Sequence, residues 1–296
     1  MPTPERLAEQ FEEHRPHLRA VAYRMLGSVS EAEDAAQEAW IRLSRTDVSG
    51  VDNLRGWLTT VVSRVCLDML RTRASRREYP LDERVPDPII RAIGRGEEGP
   101  ETDAMLADSV GLALLVVLEK LEPAERLALV LHDVFGMTFE EIASIVDRSV
   151  VATRQLASRA RRRVQGQAPT PDSSLRNQRR VVDAFLAAVQ HSDFEGLVAV
   201  LDPAIVLRAD GGAVKGMSRL VRGAEAVVAQ AATFSKLGLS NQVVLVNGNV
   251  GVLSRLPDGR LLSVIGFTIA GGKVVEMDIL ADPDRLARLD LTAIEP

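Results

Sequence analysis

"TFEEIASIVDRSVVATRQLASRARRRV", Thr138 to Val164, has the proportions of two helices joined by a three- to four-residue turn. Thr138 is placed to cap the first helix and Glu141, three residues on, to complete a capping box. Asp147, Arg148 and Ser149 form the expected turn, with Ser149 capping the second helix. Apolar spacing predicts that Ile142, Ala143 and Val146 pack against Val150, Thr153, Ala157 and Ala160. Arg154, Gln155, Ser158, Arg159 and Arg162 are then left on the outer face. Arginine and glutamine carry the planar forks that read guanine and adenine edges in the major groove, and serine can approach phosphate closely. Arg161 and Arg163 suit backbone phosphates, which adds affinity without sequence choice.

The charge of the rest of the chain sharpens this reading. The 296 residues carry a net charge of -5, yet Arg154 to Arg163 hold five arginines and no acid. Residues 1–54 have 6 Arg against 10 acids, and 81–147 have 5 basic groups against 15 acids. Residues 55–80 have 6 Arg against 2 acids, and 148–163 have 6 Arg and no acid. An ordinary solvated surface mixes signs. Two basic blocks in acidic surroundings point to polyanion-binding surfaces, with the acids keeping the remaining chain off nucleic acid.

Hydrophobic residues make up 46% and charged ones 26%, a globular balance. The longest apolar run, "VGLALLVVL" from Val110, is nine residues against about 20 for a membrane span. The first residues are charged, unlike a secretion signal. The lone cysteine, Cys66, excludes an intramolecular disulfide and a zinc ribbon, and its apolar spacing marks it as core. No cofactor or metal is expected, and a cytoplasmic location is.

Working outward, periodic apolar residues predict helices over about 5–26, over "SEAEDAAQEAWIRL" with Ser30 as cap and Glu33 closing its box, and over "LRGWLTTVVSRVCLDMLRTRASRRE". Within the last, Trp57 continues the apolar stripe of Leu58 and Val61. Residues 79–104, with four prolines and three glycines, read as a linker. A second linker is rich in Pro, Ser and Gln. After residue 176 the texture becomes two helices and then strand-like runs, "AIVLRAD", "NQVVLVN", "VGVLSRL", "RLLSVIGFTI" and "KVVEMDIL", separated by "DGG", "NGN", "PDG" and "AGG". The expected division is 1–80 helical, 81–104 linker, 105–166 helical with the helix-turn-helix, 167–175 linker, and 176–296 α+β.

On these motifs the chain resembles the extracytoplasmic-function (group IV) sigma factors of the sigma-70 family. "SEAEDAAQEAWIRL" is similar to their region 2 polymerase-binding helix, "LRGWLTTVVSRVCLDMLR" to the part that melts and reads the −10 element, and Leu121 to Val164 to region 4, which reads −35. The resemblance implies a region 2 helical bundle and a region 4 helix-turn-helix. It implies that Asp34, Gln37 and Glu38 face core RNA polymerase (β′ and β subunits), that Asn53, Arg55, Arg64 and Arg71 lie at the −10 strand, and that Arg154, Gln155, Ser158, Arg159 and Arg162 face −35 promoter DNA. Arg64 departs from the small polar residue of many relatives. The α+β part resembles the SnoaL-like (NTF2-like) cone of sigma-J-type factors. These carry a "WLPEP"-like linker stretch, here "ERVPDPII" with Arg84 in place of the tryptophan. They also carry an "NPDKL"-like stretch, here "ADPDRL", and a "DGGG"-like turn at Asp210 to Gly212. By that resemblance Pro86, Pro88, Asp210, Gly211, Asp282, Pro283 and Asp284 form a regulatory contact in place of a separate anti-sigma protein.

The alternative is a DNA-binding regulator fused to a cone that binds a small-molecule ligand or catalyses a reaction. Phe194, Phe234, Phe267 and Met277 suit an apolar pocket and plain core equally. For acid–base work only His191, Asp210 and Asp278 stand out, and no His–Asp pair does, so the expectation is a protein that is not an enzyme.

Overall fold

The computed structural model describes residues 4–47, 50–76, 84–93, 111–166, 169–214, 217–292 and 294. They group into two compact units. One holds the residues up to 76 and those from 117 to 166; the other holds 84–93, 111–116 and the residues from 169 onward.

The first unit begins with α1 (Pro4–Leu26), α2 (Val29–Ser44) and α3 (Leu54–Arg76). Leu18, Val21 and Met25 of α1, Leu43 of α2, and Leu58, Val62 and Cys66 of α3 are fully buried. Burial pushes the Cys66 thiol up to about 12, so it behaves as the small hydrophobe its spacing predicts. The expected cap of α2 is corrected. Gly27, at φ +66, ends α1 so sharply that α2 starts at Val29, and Ser28, not Ser30, accepts the Glu31 N–H. Ser30 sits inside the first turn.

A second set of helices follows: α4 (Leu112–Glu119), α5 (Pro123–Leu129), α6 (Phe139–Val146) and α7 (Val150–Val164). The division between the units falls within α4, after Val116. Between α5 and α6 a π-helical turn, Val130–Val134, closes with Phe135 N–H on the Val130 carbonyl. The helix-turn-helix forms as its residues dictate. Thr138 and Glu141 make both bonds of the capping box, and Ser149 accepts the Ala152 N–H. Asp147 turns the chain in the left-handed region, which its short polar side chain tolerates. Ile142, Ala143, Val146, Thr153, Ala157 and Ala160 are buried.

The second unit has α8 (Leu175–His191), α9 (Phe194–Val200), β2 (Leu201–Asp210), β3 (Arg219–Arg222), α10 (Ala224–Phe234), β4 (Ser240–Val246), β5 (Asn249–Arg255), β6 (Leu261–Ala270), β7 (Lys273–Leu280) and α11 (Pro283–Leu286). Strand order is β1-β4-β5-β6-β7-β2-β3, where β1 is Ile90–Arg91; β2 and β7 run parallel and the other pairs antiparallel. Val181 and Phe185 of α8 and Val227 of α10 pack with Leu207, Val252, Phe267 and Met277 on one sheet face. Phe267 and Met277 are thus core, whereas Phe194 is exposed. Alternation puts Arg208, Gly266 and Asp278 on the other face, where the Leu112 side chain lies over Gly266.

The described parts of both stretches that composition marks as linkers, 84–93 and 169–175, are pinned to this unit. Asp172 accepts the Gly271 and Gly272 N–H groups, 3.0 Å each, and donates its own N–H to Ile269. Residues 90 and 91 add a strand beside β4.

A methyl group at Gly251 would meet the Val246 side chain and come within 2.6 Å of the Ile265 carbonyl. Gly251→Ala is expected to destabilise the second unit by about 1–3 kcal/mol through overpacking. Thermal unfolding followed by hydrogen exchange in β4–β6 checks this, and unchanged exchange would refute it.

Candidate nucleic-acid interface and linker-docking site

Arg154, Gln155, Ser158, Arg159 and Arg162 are all exposed on α7, as the periodicity predicts. Several α7 arginines are nevertheless held by carboxylates. Buried Glu125 on α5 accepts Arg159 Nε at 3.0 Å and Arg163 Nη1 at 2.8 Å. Asp133 takes Arg161 through Nε at 2.7 Å and Nη2 at 2.5 Å. Arg154 lies 3.5 Å from Glu140 with its guanidinium over the Phe139 ring. Glu125 and Asp133 carried no signal in the sequence; they read as two acids among the fifteen of 81–147.

On α2, Asp34 and Gln37 are exposed and Glu38 bonds Arg42 at 2.9 Å, all three within one turn and a quarter. The expected −10 residues are spread along α3 and its approach. Asn53 caps α3 through the Gly56 N–H, 2.9 Å. Arg64 is exposed and donates Nη2 to the Ser144 carbonyl of α6 at 2.9 Å. Arg71 is exposed, 3.7 Å from Asp68. Arg55 reaches His17 Nδ1 at 3.2 Å.

His17 is a residue that sequence reasoning missed. The Thr59 hydroxyl donates to the Arg55 carbonyl at 2.8 Å, so His17 Nε2–H donates to Thr59 Oγ1, 3.2 Å, and Nδ1 accepts from Arg55. A second ring proton would face a guanidinium. The ring also meets Phe135 edge-on, centroids 5.4 Å apart. Burial, and then Arg55, push His17 down to about 4.

In the second unit the stretch 84–93 is docked by one arginine. Arg285 donates Nε to Asp87 at 2.7 Å, Nη1 to Asp210 at 2.7 Å and Nη2 to the Val85 carbonyl at 2.6 Å. Asp210 also accepts the Val85 and Gly212 N–H groups. Burial alone would weaken the Arg285 cation; Asp87 and Asp210 reverse this and raise its pKa. Pro86 and Pro88 are buried. Ile89 exchanges two bonds with Asn247, through its N–H to Oδ1 and its carbonyl to the Asn247 N–H. Asp282 caps α11, and a side chain at Gly212 would collide with it. Of the expected contact residues, Pro86, Pro88, Asp210, Gly211 and Asp282 come together, while Pro283 and Asp284 are exposed. Asp87, Asn247 and Arg285 complete the site; Asp87 and Arg285 stood inside the two motifs that pointed to it.

Asp278 is buried and paired. Arg208 gives Nη1 to it at 2.7 Å and Nη2 to Glu276 at 3.2 Å. His191 is exposed. No cluster of metal-ligating side chains and no helix long and apolar enough to cross a membrane occurs among the described residues.

A capped helix-turn-helix with exposed arginines on its second helix thus follows three helices in the chain and precedes a mixed sheet domain. The sigma-70 region 2 family matches residues 10–76 and the sigma-70 region 4 family residues 111–164. The chain is 38% identical to the ECF RNA polymerase sigma factor SigJ of Mycobacterium tuberculosis, over 93% of this chain and 92% of that one. It is 36% identical to the probable ECF sigma factor SigI of the same species, over 92% of each. The crystal structure of M. tuberculosis SigJ matches 96% of this chain and 99% of that chain with a TM-score of 0.75 and 33% identity. The chain belongs to the extracytoplasmic-function sigma-70 family. Its helical sigma domains are followed in the chain by the seven-stranded mixed sheet domain, and the match to the SigJ structure spans both.

Arg285→Met removes the cation shared by Asp87 and the buried Asp210, which costs about 3–5 kcal/mol locally. Faster hydrogen exchange at the Val85 and Ile89 amides is expected; unchanged protection would refute the docking role. Separately, unfolded His17 takes a proton below pH 6.5 and the folded ring only near 4. Stability therefore falls as pH drops between these values, by up to about 1.4 kcal/mol per pH unit, with no contribution above 6.5. The difference in unfolding free energy between wild type and His17→Gln, measured from pH 7.5 to 4.5, isolates this slope.

Proposed function

We propose that this chain is a promoter-specificity subunit that directs core RNA polymerase, in the cytoplasm, to promoters read at −10 and −35, and that its NTF2-like domain governs that activity. The observation that carries the proposal is the exposed arginine–glutamine–serine face of α7 on a helix-turn-helix with both caps in place. The domain limits are region 2 to residue 80, region 4 from 105 to 166 and the regulatory domain from 176.

Asp34, Gln37 and Glu38 form the surface for the polymerase β′ subunit, and region 4 serves β. Asn53, Arg55, Arg64 and Arg71 attend the melted −10 strand, where arginine beside an unstacked base supplies charge and a stacking plane. Arg64 must leave the Ser144 carbonyl to do so, and that exchange couples −10 reading to release of α6. The docked stretch 84–93 with Pro86, Pro88, Asp210, Gly211 and Asp282 is the regulatory contact, with Pro283 and Asp284 on its exposed rim.

Full-length protein mixed with purified core RNA polymerase is expected to co-elute on size exclusion. Asp34→Lys, which reverses charge on an exposed position, should weaken the complex at least tenfold. A wild-type chain that fails to co-elute, or an unchanged variant, would overturn the polymerase assignment.

A further inference from the structure

The outward pole of α7 is not occupied by most of its arginines. The buried side is Thr153, Ala157 and Ala160. Opposite it, at steps of four, three and four, stand Val151, Gln155, Ser158 and Arg162, one stripe along a helix of 3.6 residues per turn. The other arginines lie to either side, and carboxylates of neighbouring elements hold them: Arg159 and Arg163 by Glu125 on one flank, Arg161 by Asp133 and Arg154 by Glu140 on the other. A helix in the major groove turns its pole to the base edges and its flanks to the two phosphate backbones.

Val151 begins the stripe and is 64% exposed, the largest value among the exposed large hydrophobic residues of the described chain. It stands in the first turn, the part of a recognition helix that reaches base edges. A lone exposed valine is ordinary on a surface. This one precedes Gln155, Ser158 and Arg162 on the face that the DNA would cover. The major-groove feature an isopropyl group can read is the thymine 5-methyl.

Resting on the proposed −35 reading, we infer that Val151 is a specificity-determining residue that packs on a thymine methyl, with Gln155, Ser158 and Arg162 as its base-reading partners. Arg154, Arg159, Arg161 and Arg163 are phosphate-facing arginines whose direction Glu140, Glu125 and Asp133 set.

The test uses the full chain bound to core polymerase. Duplexes selected by this holoenzyme from a random library supply the −35 site, and each thymine in it is replaced singly by deoxyuridine. One replacement is expected to weaken wild-type binding about fourfold, the worth of one buried methyl. Val151→Ala should bind thymine and deoxyuridine at that position equally. It should fold as wild type, since Val151 is exposed. Arg159→Ala should weaken all duplexes alike and reduce the slope of log affinity against log salt by about 1. If every deoxyuridine effect persists in Val151→Ala, or if Arg159→Ala relaxes the choice of one base, the inference fails while the −35 reading stands. If the holoenzyme selects no −35 sequence at all, the underlying reading fails as well.

Discussion

One guanidinium organises the second domain's hold on the chain. Arg285 sits between two carboxylates and a carbonyl, with Asp87 and Val85 from the docked stretch and Asp210 from the end of β2. The two acids share this one cation. Removing the cation leaves charge that water no longer solvates well. The short stretch "VPDP" buries Val85, Pro86 and Pro88, but its prolines donate no hydrogen bond, so few polar groups anchor it. Its amide at Val85 is met by the same Asp210, and Asn247 takes over at Ile89. The contact is thus built from polar groups that share partners across one small site.

The arginine-rich helix α7 obeys the same logic with opposite geometry. Arginines concentrated on one helix repel one another, and carboxylates just off the reading face relieve that repulsion. Glu125 does so for two of them from a buried position. The basic block stays basic overall, but its charges acquire fixed directions, which lessens the entropy that a long side chain loses on meeting a phosphate.

Much of this was legible from residue types alone. Capping signals and periodicity located α6 and α7, and the five strand-like runs correspond to β2, β4, β5, β6 and β7. Local turn chemistry and alternation encode those features. β1 and β3 were not legible: Ile90–Arg91 is too short to show alternation, and Arg219–Arg222 carries no apolar pattern. Ser28 displaced Ser30 because backbone conformation at Gly27, not side-chain type, fixes where α2 starts. On α7, periodicity predicts which residues are exposed but not what tethers them. Glu125, Asp133, His17 and Asn247 act through contacts 28 to 158 residues away in sequence, and spacing carries no trace of such pairings.

The docked stretch also has a geometric consequence for promoter reading. Region 2 and region 4 are joined through it. While Arg285 and Asn247 hold residues 84–93, those ten residues belong to the fold of the second unit and cannot lengthen the connection. Released and extended, ten residues span up to about 35 Å. The −10 and −35 elements lie some 25 base pairs apart by name, about 85 Å along B-form DNA at 3.4 Å per step. Region 2 here lends Arg64 to the Ser144 carbonyl and packs His17 against Phe135 of region 4. A chain that reads both elements at once has to give up these contacts and gain reach. Proposed as the regulatory contact, the Arg285 site acts on that reach, because it withholds up to about 35 Å of extended chain.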